Sequence, residues 1–261
     1  MTSSAVASGG KALNVEGLTK NFGGLRALDH VTLSVTPGER LAIIGPNGAG
    51  KTTFFNIVTG VLQPSAGRIR FFDRDVTSLP IHARARLGLA RTFQITTLFP
   101  RLSVLQSVLL AVQAANGVRF VLHRALTGYR HLFDRAESLL REWDLAPRRD
   151  AAAGQLSYGE QRQLELVLAL AGMPRLLLLD EPTAGLSPAE TGLVVRMIDR
   201  LPREITLILI EHDMDVAFSL ADQVAVFSQG RILAWGTREE IRNNAEVAEI
   251  YLGPGQPGAA R

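Results

Sequence analysis

The sequence predicts an α/β fold, and three features carry that prediction. The runs "RLAIIG", "LLLLDE" and "TLILIEH" are continuously apolar and turn polar only at their ends, as strands of a parallel sheet buried on both faces do. The segment "GPNGAGKT" follows the first of these runs and opens the helical stretch "KTTFFNIVTG". After a helical middle region, strand and helix patterns alternate again to about residue 236.

Taken in order, residues 1–11 are rich in small residues and read as a disordered tail, as does the closing "GPGQPGAAR". From Leu13 to about Phe72, the β-like runs "LNVEGL", "VTLSV", "RLAIIG" and "RIRFF" are separated by turns such as "TPGE" and by one helix after Gly50. This region predicts a mixed sheet. From about Gly88 to Gly172 the periodicity is helical: "VLQSVLLAVQAA" is followed by "HLFDRAESLLREWDL", with Leu139, Leu140 and Trp143 on one face. In "LSYGEQ", Ser157 and Glu160 form a capping-box pattern, and Leu164, Val167, Leu168 and Ala171 continue it at helical spacing. Beyond "RLLLLDE", helices are expected near 188–200 and 213–221, and "QVAVFSQGRILAWG" reads as a hairpin.

Composition excludes several function classes. The chain has no cysteine, so disulfides and cysteine metal sites are out. A net charge of +3 is too small to argue for nucleic acid. No apolar run is long enough to span a membrane and "MTSSAVASGG" lacks the pattern of an export signal, so any membrane link is expected to come through a partner.

The chemistry gathers at the strand ends. "GPNGAGKT" fits the phosphate-binding pattern G-x-x-x-x-G-K-[ST] in the strand–helix setting that the mechanism needs. Its glycines let the loop from Gly45 through Pro46, Asn47, Gly48 and Ala49 to Gly50 close on phosphates through its backbone N–H groups, of which Pro46 has none. Lys51 supplies a point charge, Thr52 a hydroxyl for Mg²⁺, and Thr53 continues the helix start. In a chain with 28 basic residues, of which only three are lysine, a lysine here fits a role that needs a compact cation. Asp180 and Glu181 end a predicted strand and are expected to project in opposite directions, one toward the metal shell and one toward the terminal phosphate. His212 follows another strand and can donate to a phosphate. In a parallel sheet Gly45, Asp180, Glu181 and His212 share the carboxyl edge, where open α/β sheets bind ligands. The first turn after Ser157 offers a second anion-binding helix start.

In chain order, Phe22, "GPNGAGKT", "RTFQ", "LSYGEQ", "LLLLDEP", "AGLSP" and "EHD" resemble the aromatic stacker, Walker A, Q-loop, signature, Walker B, D-loop and H-loop of the ATP-binding-cassette (ABC) transporter family. The resemblance implies a P-loop NTPase (RecA-like) core with an antiparallel β subdomain and an ABC helical subdomain. It places the cassette at residues 12–241, its helical part at about 89–172 and a C-terminal extension at 242–261. It implies an ATPase with ATP and Mg²⁺ as ligands. Phe22 would stack on adenine, and the segment from Gly45 to Thr53 would hold the phosphates. Lys51, Gln94, Glu181 and His212 would form the catalytic set, with Glu181 as general base, and Thr52, Gln94 and Asp180 the metal set. Ser157, Gly159 and Glu160 would act in trans on the nucleotide of a second cassette, either another copy of this chain or a paralogue.

Three positions depart from the family pattern: Tyr158 where glycine is common, Phe22 in place of tyrosine, and Ser187 where aspartate is usual. "FGGLRAL", "RTFQITTLFPRLSV", "SYGEQRQLE" and "EVAEIYLG" resemble the cassettes of branched-chain and hydrophobic amino acid importers; cassettes for urea or amides are similar. That branch implies transmembrane permease subunits, an external solute-binding protein and a peripheral position on the cytoplasmic face of the inner membrane. No nucleic acid partner is implied. The basic, apolar stretch 117–131 could lie near permease or headgroups, or form solvated helical surface. Soluble ABC proteins of translation, DNA repair or iron–sulfur assembly are the alternatives, though the interval between Walker A and signature is short and lacks heptads.

Overall fold

The computed structural model describes residues 10–92, 98–115 and 130–252. Gln94 and most of 117–131 lie outside the described residues, as do 1–9 and 253–261. The chain begins with β1 (Leu13–Phe22), β2 (Leu25–Val35) and β3 (Arg40–Ile44), followed by α1 (Lys51–Thr59), β4 (Ala66–Phe71), β5 (Arg74–Asp75), α2 (Ile81–Arg86) and β6 (Leu89–Arg91). Three helices follow, α3 (Val104–Ala115), α4 (Arg130–Glu142) and α5 (Tyr158–Ala171). Then come β7 (Leu176–Asp180), α6 (Pro188–Asp199), β8 (Thr206–Ile210), α7 (Met214–Leu220), β9 (Gln223–Ser228), β10 (Arg231–Gly236), α8 (Arg238–Arg242) and α9 (Ala245–Leu252).

Two sheets organise these elements. β2-β1-β4-β5 form an antiparallel sheet, and β10-β9-β3-β8-β7-β6 form a second sheet in which only β10 runs antiparallel to its neighbour. The central strands of the second sheet are buried along their whole length because both faces are covered. Alternation along each strand shows how. Leu41 and Ile43, Leu176 and Leu178, and Ile208 and Ile210 face the core shared with the antiparallel sheet and α1. Ala42 and Ile44, Leu177 and Leu179, and Leu207 and Leu209 face the core built with the helices. The expected α/β class and antiparallel subdomain are both present.

The helical readings hold closely: α3 spans the whole of "VLQSVLLAVQAA", and Leu139, Leu140 and Trp143 are all buried against the helices. Two readings differ. The strands between Leu13 and Phe72 do not form one mixed sheet, because β3 joins the parallel sheet while β1, β2, β4 and β5 pair antiparallel. Leu89–Arg91 is a strand at the sheet edge, paired with β7, inside the stretch that the periodicity assigned to helix from about Gly88. Three residues are too few to show a period, and the strand exists because Leu176–Leu178 offer it a partner 87 residues further on. Past β10, Ile241 and Val247 are buried in the core on the helical side, so α8 and α9 are docked on the domain.

Candidate functional site

Because β3, β7 and β8 are adjacent and parallel, their carboxyl ends bring the phosphate-loop pattern, the paired acids and His212 to one edge. They border a cleft of about 560 Å³ lined by Asn47 to Thr53, Glu181 and His212, with Phe22 at its rim. The loop closes tightly against neighbouring backbone. A Cβ on Gly45 (φ +146°) would stand 2.2 Å from the Phe227 carbonyl, and one on Gly50 (φ +101°) 2.7 Å from the Ala27 carbonyl. No other residue fits those two positions. Lys51 opens α1 and spans the loop, its Nζ donating to the carbonyls of Gly45 (2.6 Å) and Pro46 (3.0 Å). Burial lowers the Lys51 ammonium pKa, against the charges of Glu181 and Asp180, which raise it.

The paired acids part where β7 ends, through a change of backbone conformation at Glu181 rather than through strand alternation. Asp180 is the last residue of β7, is 3% exposed, and its Oδ2 accepts from Arg91 at 2.5 Å. Glu181 leaves the strand in the left-handed region (φ +49°), and its Oε1 lies 2.6 Å from His212 Nε2. A non-glycine residue at positive φ is uncommon and is held here by the Glu181 amide, which donates to the Ile210 carbonyl at 3.0 Å. Glu211 staples the two loops together. Its buried carboxylate accepts from the Thr183 amide (3.2 Å), the Thr183 hydroxyl (2.9 Å) and the His212 amide (3.3 Å). Burial pushes the Glu211 carboxyl pKa up. An acid inside an apolar strand end gave no sequence signal beyond its place before His212, and Glu211 was missed.

The β9–β10 turn also joins the cleft, through Gln229 and Gly230. The Gly230 amide donates to Ala49 O (3.0 Å) and the Asp29 amide to Gly230 O (2.8 Å). The Asp29 carboxyl is lowered to about 2 by hydrogen bonds from His30 and Arg231 and, less strongly, from Arg26. The contacts that Gly230 and Arg231 make span 181 to 202 residues of sequence, so no local pattern announces them. Leu25, Arg26 and Ala27 complete the rim beside Phe22, over whose ring Lys20 Nζ stands at 5.1 Å from the centroid.

Oxygen chemistry suited to Mg²⁺ is available here. Thr52 offers a hydroxyl at the helix start, and Asp180 Oδ1 is a buried oxygen without a hydrogen-bond partner among the described residues. The residues present therefore fit the metal.

Ser157, Gly159 and Glu160 stand apart from this cleft. They start α5 in a complete capping box: Ser157 Oγ accepts from the Glu160 amide, and the Glu160 carboxylate accepts from the Ser157 amide at 2.8 Å. That amide, and after it Arg148, hold the Glu160 carboxyl below the usual range. Tyr158 occupies the first helical position, where a side chain adds no backbone strain, and its hydroxyl accepts from Arg162 at 2.6 Å. Ser187 likewise caps α6, boxed with Glu190, so the residue standing where aspartate is usual still serves as an N-cap.

Comparison with known proteins agrees with this architecture. The sequence profile described as "ABC transporter" matches residues 28–184. The high-affinity branched-chain amino acid transport ATP-binding protein BraF of Pseudomonas aeruginosa is 41% identical over 248 residues, covering 92% of this chain and 97% of the relative. The corresponding LivG of Escherichia coli is 40% identical over 248 residues, with the same coverage. Among solved structures, the ADP conformation of MJ1267, an ATP-binding cassette of an ABC transporter, superposes with a TM-score of 0.82 at 29% identity over 93% of this chain and 99% of that one. By profile, sequence and fold, the chain belongs to the ABC transporter family and is one of its ATP-hydrolysing cassettes.

Proposed function

We propose that the cassette binds ATP with Mg²⁺ in the cleft below Phe22 and drives import of branched-chain or other hydrophobic amino acids through a separate permease. The convergence of Lys51, Glu181 and His212 on one cleft, with the Ser157 helix start outside it, is the observation that carries the reading. In this proposal the loop amides and Lys51 hold the phosphates and Phe22 stacks on the base. Glu181 takes a proton from the attacking water, and His212, within hydrogen-bond reach of Glu181, donates to the terminal phosphate. Thr52 and Asp180 would hold the metal, which when bound neutralises phosphate charge.

Ser157 and the Gly159 amide would complete the site of a second cassette, because a phosphate-binding helix start displaced from the chain's own cleft needs a nucleotide held elsewhere. The cargo assignment rests on BraF and LivG, and an external solute-binding protein would deliver it. Attachment through the permease would place the cassette peripherally on the cytoplasmic face of the inner membrane; among the described residues no helix is long and apolar enough to cross a membrane. Affinity purification from gently solubilised native membranes tests the assembly. Permease subunits and a second cassette should co-purify, and ribosomes, DNA or iron–sulfur assembly proteins in their place would overturn the transport reading.

A further inference from the structure

Arg91 ends β6, and its guanidinium fork reaches two acceptors from different elements. Nη2 donates to Asp180 Oδ2 at 2.5 Å, and Nη1 donates to Asn56 Oδ1 at 2.7 Å on α1, the helix that Lys51 opens. The Phe55 ring covers the same guanidinium, 5.7 Å from its centroid. The side chains of Arg91 and Asp180 are 9% and 2% exposed, so this is a buried ion pair, and together with the Asn56 bond it ties the strand carrying Asp180 to the helix carrying the Thr52 hydroxyl. The fork leaves one carboxylate oxygen, Oδ1, buried and without a hydrogen-bond partner among the described residues.

We infer that Arg91 is a positioning residue that restricts Asp180 to a one-oxygen donor toward Mg²⁺ and fixes that oxygen relative to Thr52. The inference rests on the proposed nucleotide–metal reading of the cleft. Mg²⁺ demands strict octahedral geometry and keeps several waters, so it is served by a single oxygen held in place rather than by a carboxylate free to turn and chelate. Arginine suits the task because its planar fork meets two fixed acceptors at once, which one ammonium on a flexible stem cannot do with the same geometry. Partners that orient a metal ligand are worth a large share of metal affinity even though they never touch the ion.

The test uses the full chain with a fluorescent non-hydrolysable ATP analogue and Mn²⁺ as the metal probe, with free Mn²⁺ read by electron paramagnetic resonance. Nucleotide affinity is also measured in EDTA. Arg91→Met should weaken Mn²⁺ binding in the analogue complex by about tenfold or more while metal-free analogue affinity stays within about twofold. Arg91→Lys should recover part of the Mn²⁺ affinity. Asn56→Ala, which releases only the second arm of the fork, should give a smaller loss in the same direction, and it decides the matter if Arg91→Met does not fold. Unchanged Mn²⁺ affinity in Arg91→Met, or a parallel fall of metal-free and metal-dependent binding, would overturn the inference. Failure of the wild-type chain to bind Mn²⁺ with the analogue would overturn the underlying reading, and the inference with it.

Discussion

Glu181 Oε1 and His212 Nε2 lie 2.6 Å apart although 31 residues separate them, because β7 and β8 are neighbours in one parallel sheet and end at the same edge. The contact holds the proposed base and the proposed phosphate donor in one geometry. Replacing His212 by Ala should lower ATP turnover by about a hundredfold while leaving ATP affinity within a few fold, as expected for a group that acts in the transition state. Steady-state phosphate release and equilibrium nucleotide binding separate the two effects.

Glu211 carries a pH signature. Burial raises its pKa in the folded chain, so above about pH 4.5 the unfolded state releases the proton more readily than the folded one. The stability contributed by this group is therefore present at acid pH and is lost as pH rises through the folded pKa. Glu211→Gln removes that dependence, so its stability relative to wild type should improve as pH is raised above the ordinary carboxyl range in urea unfolding. Glu211→Ala should also lower turnover, since the Thr183 and His212 amides lose their common acceptor.

Arg84 is fully buried without a carboxylate partner in the described structure and donates to the carbonyls of Ile57, Val58, Thr77 and Leu79. Two of these carbonyls end the α1 helix, where a cation meets the negative end of the dipole. Burial lowers the guanidinium to about 10. Arg84→Met should destabilise the chain by about 3 kcal/mol, because it strands several buried acceptors at once. Arg84→Lys should restore little of this, since one ammonium cannot reach all four.

Ser187 should behave as a helix cap. Ser187→Ala is expected to cost about 1 kcal/mol in urea unfolding, and Ser187→Asp, which keeps the cap acceptor but cannot donate to Glu190, to recover only part of it. The pH dependence of the box follows from Glu190, whose carboxyl is lowered first by the Ser187 hydroxyl and then by its amide. Its stabilising share is present above the ordinary carboxyl range and fades as pH falls through the lowered folded value.

Much of this molecule is legible in local pattern. The buried parallel strands show as unbroken apolar runs, α5 as a capping box with helical periodicity, and the phosphate-binding loop as glycines that the carbonyls of Phe227 and Ala27 leave no room to replace. What escaped depends on distant partners. Arg84, Arg91 and Glu211 are single polar residues whose roles depend in part on contacts 26 to 89 positions away, and β6 becomes a strand only beside β7. The Gln229–Gly230 turn reaches the loop through a hydrogen bond to Ala49 that no window of sequence contains. Periodicity reports an element's own faces; it says nothing of which buried charge will meet which carbonyl.

Hydrolysis of ATP in this cleft with Glu181 as base is tested by Glu181→Gln in the purified cassette or its transporter complex, with ATP binding and single-turnover hydrolysis measured side by side. ATP affinity should stay within a few fold of wild type while hydrolysis slows by about a hundredfold or more. Hydrolysis at close to the wild-type rate would contradict that role for Glu181.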